Sequence, residues 1–335
     1  MMWLDTKTIM AEHIDYKVVI PSAGLGTRLG SLTKNLNKAL VSVDNKPVIS
    51  HIIEKFPTDI EIVIAVGYKK EVLIDYLKAA HNNRKITTVN IDKYMGDGSG
   101  LGYTLLKCCD YLQCPFVFCT NDTLTTEDIP EPNYDWAAYS SESFDSDICR
   151  SIEVEEHLIK SIQDKGNATK NSLVYIGLCG IYHYKQFWSY MKNGVNHGSI
   201  TLGETYGLLK LLQSNKIYAK EFTWKDTGCI ESLNNNRSKS INLQKDNEEI
   251  WMVGDRVVKY NTDNSLIKDK IHRAKYLDKY IPEITYAGEN IYAYEKVVGR
   301  TLEEKCNEHN FDHVLSFLSD EFWIQQSETL EDYGE

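Results

Sequence analysis

The chain has 335 residues, 42% of them hydrophobic and 25% charged, with a formal net charge of −11. That length exceeds what one core usually organises, so two domains are expected, and the composition is that of a soluble globular protein. The acidic balance argues against a broad nucleic-acid surface but leaves room for a local cationic pocket, and no apolar run is long enough to cross a membrane.

The start, Met1-Met2-Trp3-Leu4-Asp5-Thr6-Lys7, lacks the basic-then-apolar order of a signal peptide. Eight cysteines occur without Cys-x-x-Cys spacing, and several, such as Cys119 and Cys179, sit in apolar runs. They read as reduced, buried thiols rather than a zinc site or a disulfide framework, and a cytoplasmic location is the default expectation. Residues 1–16 carry no clear signal; an extra strand, a contact in a homo-oligomer and a loose arm all fit them.

The first strong element is Lys17-Val-Val-Ile20, a buried parallel strand expected to stop at Pro21. The glycine-rich loop after it can turn backbone N–H groups onto a phosphate through Gly24 and Gly26. Arg28 adds a rigid charged fork and Lys38 a point charge. A tight turn would explain the glycines alone. Residues 39–43 then read as a short strand, and Pro47 opens a helix to about residue 56. Residues 61–66 form a second buried strand. Residues 70–80 form an amphipathic helix with Val72, Leu73, Tyr76 and Leu77 inward, and residues 86–91 a third strand.

A second glycine cluster, Gly96-Asp97-Gly98-Ser99-Gly100-Leu101-Gly102, precedes a helix to about residue 111 and reads either as a link or as a ligand loop. Residues 115–119 form a fourth strand ending in Thr120-Asn121-Asp122. Asp122 is either a local cap or a ligand at a strand end, where open α/β sheets bind. Strands follow at residues 158–163 and 174–182, then Gly203-Glu204-Thr205 before a helix to about residue 212. Glu204 reads equally as a first-turn acid favoured by the helix dipole. Tyr175 and Tyr182 read as core aromatics rather than a choline cage.

The string Gly-x-Gly-Thr-Arg-Leu (Gly24 to Leu29), with Thr33, Lys38 and Lys46-Pro47-Val48-Ile49, is neither a P-loop nor a dinucleotide fingerprint. It resembles the signature of the sugar-phosphate nucleotidyltransferases, with Pro21-Ser22 in place of the usual small residues. The resemblance implies a Rossmann-like mixed-sheet α/β domain over residues 17–240. It also implies nucleotide contacts at Ala23, Gly24, Gly26, Thr27, Gly100 and Leu101, and catalytic roles for Arg28 and Lys38. Asp122 and the Asp226 of Trp224-Lys225-Asp226-Thr227-Gly228 would be metal ligands, for Mg²⁺ or Mn²⁺. Lys165, Gly180 and Glu204 would face the acceptor. Lys165 stands in Gln163-Asp164-Lys165-Gly166, where relatives carry Glu-Lys-Pro. Tyr94-Met95 occupy the region of the glutamine that uridylyl- and thymidylyl-transferring relatives often use to read the base.

Residues 234–249 are polar and read as the domain boundary. Beyond them come two strands around Gly254-Asp255, a helix over 266–280, a strand over 291–298 and Gly299-Arg300-Thr301-Leu302. This order resembles the α+β small lobe of choline-kinase-like and aminoglycoside-phosphotransferase-like kinases, with Lys259 as the strand lysine. No His-Gly-Asp-type catalytic loop follows before Glu335, so residues 250–335 are expected to be a truncated lobe unable to phosphorylate an alcohol.

The expected partners are a nucleoside triphosphate and a phosphorylated alcohol, polyol or sugar, with no nucleic acid and no membrane. CTP is favoured, because the resemblance suggests a fused cytidylyltransferase–kinase and the glutamine is absent. A UTP- or dTTP-dependent sugar-phosphate enzyme and an inactive nucleotide-binding module are the alternatives. Every candidate transfer residue precedes the polar stretch, so a chain ending near residue 239 is expected to retain transfer.

Overall fold

The structure, a computed structural model, describes residues 14–238, 243–245, 247–277, 279–299 and 307–323. The expected N-terminal extension (all but its last three residues) and Arg300, Thr301 and Leu302 lie outside them.

A nine-stranded mixed sheet forms the body. Its strands are β1 (Lys17–Ser22), β4 (Glu61–Val66), β5 (Ile86–Asn90), β6 (Phe116–Cys119), β8 (Trp136–Ser140), β9 (Ser151–Glu155), β10 (Leu158–Gln163), β11 (Leu173–Ile181) and β12 (Tyr218–Glu221). They lie in the order β5-β4-β1-β6-β11-β8-β12-β10-β9. The first four are mutually parallel, whereas β11 runs antiparallel to both β6 and β8. Alternation along β1 feeds two cores, Val18 and Ile20 to one face and Val19 to the other. Between the strands come helices α1 (Val48–Ile53), α2 (Lys70–Ala80), α3 (Leu101–Cys108), α4 (Tyr184–Asn193), α5 (Ser199–Leu202), α6 (Glu204–Leu211) and α7 (Ile230–Asn236).

Strand β1 does not stop at Pro21 as expected. It continues through Ser22, with Pro21 opposite Ala65 of β4. The Lys17 N–H donates to Pro115 O at 3.2 Å, so odd-numbered residues of β1 face β6. That ladder ends at Val19, and the missing N–H of Pro21 falls beyond it. Residues 38–40 form a single 3-10 turn rather than a strand. A tiny hairpin follows, β2 (Ser42–Val43) on β3 (Lys46–Pro47), turning through Asp44 and Asn45 at φ 53° and 61°. A second short pair joins β7 (Thr123–Thr125) to β13 (Trp224–Asp226).

A four-stranded antiparallel sheet follows in the order β14-β15-β17-β16, from β14 (Glu248–Val253), β15 (Arg256–Asn261), β16 (Ile284–Ala287) and β17 (Ile291–Glu295). Helix α8 (Asn264–Ala274) joins β15 to β16 and ends earlier than its pattern suggests. The polar stretch before β14 separates two sheets but not two cores. Trp251 is fully buried, edge-on to Tyr76 of α2 at 4.9 Å and stacked with Tyr260 at 6.0 Å. Arg256 Nη1 donates to Ala79 O at 2.9 Å, and the Tyr286 hydroxyl to Asp75 Oδ1 at 3.0 Å. One compact unit extends to Glu295, and residues from Lys296 form another, containing the helix α9 (Glu308–Phe317).

A cut near residue 239 would therefore bare the apolar face of α2 rather than release an independent domain. Trp251→Ala should lower unfolding free energy by about 3–5 kcal/mol. Urea unfolding followed by circular dichroism should show both sheets lost in one transition; two separated transitions would mean that the sheets are energetically independent.

Candidate active site

The carboxyl ends of β1 and β6 open into a cleft of about 430 Å³. Of the residues singled out in the sequence, Ala23, Gly24, Arg28, Lys38, Gly100, Leu101, Asp122, Lys165, Glu204 and Asp226 all line it. They come from segments up to about two hundred positions apart, and the sheet order brings them together.

Asp122 is the centre. Lys38 Nζ donates to its Oδ2 at 3.0 Å, and Arg28 Nη2 stands 4.0 Å from the same oxygen. Burial pushes the Asp122 carboxyl up, but the Lys38 ammonium, with Thr120 and Arg28, outweighs it and holds the group below the usual carboxylate range. The Asp-Thr-Gly segment is fastened to the same place. Asp226 sits opposite Thr123 in the β13–β7 pair, and the Thr227 N–H and hydroxyl donate to Asp122 O at 2.9 and 3.0 Å. A Cβ placed on Gly228 would lie 3.1 Å from Asp226 Oδ1, 3.2 Å from Asp122 Oδ2 and 3.0 Å from Arg28 Nη2. The two carboxylates and the guanidinium thus converge on one point beside Gly228. Asp226 is oriented by the Ser232 hydroxyl at 2.6 Å and the Gly228 N–H at 3.0 Å.

Gly26 and Thr27 do not line the cleft. Gly26 sits at φ 67°, and a Cβ there would come within 2.7 Å of Lys38 Cβ. It is a packing partner of the lysine segment; Thr27 is exposed at the start of the 3-10 turn Thr27–Thr33. Gly180 is also outside the cleft. It lies in β11 against Trp136, whose Nε1 would be 2.1 Å from a Cβ there. The glycine of β11 at the cleft is Gly177, beside Thr120.

The sequence reading missed Arg150, Asn121 and the exposure of Tyr175 to the cleft. Arg150 Nε donates to Asp164 Oδ1 at 3.0 Å, and Gly166 N donates to Ser146 O at 2.8 Å, so this loop fixes the turn that carries Lys165. Asn121 and Glu204 are each only 2% exposed. Both polar atoms of the Asn121 side chain and Trp224 Nε1 are buried without a hydrogen-bond partner among the described residues, and the buried Glu204 carboxyl and Tyr175 hydroxyl lie beside one another. Unpaired buried polar groups at a cleft wall are places where a ligand supplies the partner. No short motif marks these positions; Asn121 beside Asp122 was the one available signal.

Among the described residues no group of three or more His, Cys, Asp or Glu side chains could hold a metal, and no helix is long and apolar enough to cross a membrane. Two converging carboxylates nevertheless suit Mg²⁺, which commonly takes one or two protein carboxylates and completes its shell with water and substrate phosphates.

No family model matches the chain. It is 30% identical over 237 residues to the bifunctional protein GlmU of Methanococcus vannielii, covering 67% of this chain and 55% of that protein. It is 46% identical over 80 residues to the choline-phosphate cytidylyltransferase of Streptococcus pneumoniae, covering 23% of this chain and 33% of that protein. The chain spans about half the length of the first of these relatives and a third of the second. Among solved structures it resembles the CTP:phosphocholine cytidylyltransferase of S. pneumoniae, with TM-score 0.53 and 22% identity over 66% of this chain and 97% of that one. It also resembles a UDP-glucose pyrophosphorylase complexed with UDP-glucose, with TM-score 0.56 and 19% identity over 67% and 97%. The fold is the α/β nucleotidyltransferase fold, and the sequence matches support the sugar-phosphate nucleotidyltransferase family. These matches do not show the kinase-like lobe expected from residues 250–335.

Glu204 gives a pH test. Burial pushes its carboxyl up to about 7, against the opposing pull of Arg150 and Tyr175. A raised folded pKa means that the native state binds more protons than the unfolded state between about 4.5 and 7. Stability from this group is complete below that window and is lost as pH rises through it. Glu204→Gln should therefore melt increasingly above the wild type as pH rises from 5 to 8, measured by calorimetry; a pH-independent difference would place the carboxylate in water.

Proposed function

We propose that the protein is a nucleotidyltransferase that condenses a nucleoside triphosphate, CTP in our reading, with a phosphorylated alcohol, polyol or sugar. The observation that carries this reading is the convergence of Arg28, Asp122 and Asp226 on one point, with Lys38 paired to Asp122 Oδ2 at 3.0 Å. An oxygen of the acceptor phosphate would attack the α-phosphorus. The bond from that phosphorus to the bridging oxygen would break, and pyrophosphate would leave.

Little acid–base work is needed. The second pKa of a phosphate monoester is about 6, so the acceptor is largely dianionic near neutrality and already nucleophilic. The obstacle is repulsion between two polyanions, and positioning with electrostatic stabilisation overcomes it. Arg28 and Lys38 would take the α-phosphate and the departing pyrophosphate. Lys165, set by the Arg150–Asp164 contact, would hold the acceptor phosphate. Asp122 and Asp226 would hold Mg²⁺ or Mn²⁺, which when bound neutralises nucleotide phosphate oxygens. Ala23, Gly24, Gly100 and Leu101 would bed the nucleoside.

CTP is supported by the similarity of an 80-residue part of the chain to a cytidylyltransferase and by the cleft-lining Tyr94, which by the resemblance takes the region of the glutamine that uridylyl- and thymidylyl-transferring relatives often use to read the base. A UTP- or dTTP-dependent sugar-phosphate enzyme is the alternative reading. A cytoplasmic enzyme making precursors of capsule or cell-surface polymers, with a kinase-like lobe after its transfer domain, fits the same reading.

Pyrophosphate release, measured for four nucleoside triphosphates against phosphocholine, polyol phosphates and sugar 1-phosphates, tests it; release with CTP and at least one acceptor is expected. Asp122→Asn and Asp226→Asn should each lower turnover by at least about a hundredfold with the fold retained. Arg28→Lys should fail to rescue, because a point charge cannot replace the planar fork. A folded Asp122→Asn protein with near-normal turnover at limiting Mg²⁺ would refute the assignment.

A further inference from the structure

Lys38 lies on a single 3-10 turn, an element too short to fix its own position. One side of that turn is held by Asn37. Its wholly buried side chain donates to Ser22 O at 2.8 Å and Tyr68 O at 2.7 Å, and accepts from Ala39 N at 2.9 Å. The flanks are held by the second sheet and the segment leading into it. The Tyr260 hydroxyl donates to Asn35 O at 3.2 Å, and Trp251 Nε1 to Ser42 Oγ at 3.0 Å. Arg237 Nε donates to Ser42 O at 2.9 Å, and the Met252 N–H to Asn45 O at 2.8 Å. Residues 35–45 form a strap tied at both ends to residues about two hundred positions later, with Lys38 inside it.

We propose that the four-stranded sheet belongs to the transfer machinery, with Tyr260 and Trp251 acting as positioning residues that hold Lys38 against Asp122. The inference rests on the role given to Lys38 above. Geometry makes the coupling direct. The Lys38 stem is packed against Gly26, so a shift of the strap moves the ammonium and the phosphate loop together. Misplacing a reacting group by 1 Å can cost about a hundredfold in rate. Tyr260 and Trp251 stack on each other, so the two ties share one rigid aromatic support. The sheet would then supply no group to the substrate and still set the rate.

Tyr260→Phe removes one tie and keeps the ring; Ser42→Ala removes the acceptor of the other. Each should lower kcat about 3- to 10-fold at saturating substrates, with an unchanged circular dichroism spectrum. In a Lys38→Met background neither should cause further loss, because the group being positioned is gone. Independently of activity, amide hydrogen exchange over residues 36–43 should quicken in Tyr260→Phe while residues 61–66 of β4 stay protected. Unchanged exchange over 36–43, or the same fold loss with and without Lys38, would overturn the inference. A wild-type protein without any transfer activity would instead refute the proposed function, and the exchange measurement would still decide whether the strap exists.

Discussion

The contact between Lys38 and Asp122 constrains the rest of the molecule. Both side chains are mostly withdrawn from water, at 21% and 18% exposure. An ion pair withdrawn from water gains little net stability, yet removing one partner is costly, because the other charge loses its nearest counter-charge. The surrounding structure must therefore deliver both groups to within hydrogen-bond reach. Asp122 arrives at the end of β6, a rigid central strand. Lys38 arrives on one turn of 3-10 helix, and so needs Asn37 on one side and ties from the second sheet on the other.

The second constraint is charge. The protein carries a net −11, while the proposed reactants are both polyanions. Arg28, Lys38, Arg150 and Lys165 all line one cleft, which gathers four cations at one place on an acidic protein. Asp122 and Asp226 stand in the middle of that cluster. Glu204, on the cleft wall, is pushed towards neutrality by burial and so adds less repulsion than a third ionised carboxylate would.

Much of this was legible in the sequence because it rests on local chemistry. The run Val18-Val19-Ile20 before Gly24 and Gly26 can form little except a buried strand and a loop, and Asp122 stands directly after another such run. What was not legible depends on the partners of each strand. Pro21 ends a strand only if its N–H is needed, and the early end of the β1–β6 ladder removes that need. Gly180 and Gly177 are equivalent as letters, but only Gly177 faces the cleft. Arg150 carries no motif, and its place follows from the hairpin of β9 and β10. The polar stretch at 234–249 marks a change of sheet. The buried Trp251 behind it could not be assigned to the first core from spacing alone.

Buried polar groups without partners divide the cleft in a way that bears on what it holds. Asn121 and Trp224 present unpaired atoms to it, beside the buried pair Glu204 and Tyr175. Each such group costs about 1–3 kcal/mol unless something pairs with it. A fold does not keep such costs beside its most charged residues for stability, since apolar replacements would fill the same wall. They are better understood as stability given up for recognition. A ligand that leaves them unpaired is rejected more strongly than an apolar wall could reject it. The phosphates in this reading are held by cations that accept any phosphate. Discrimination among acceptors would then fall to these directional groups, a task physically separate within the same cleft.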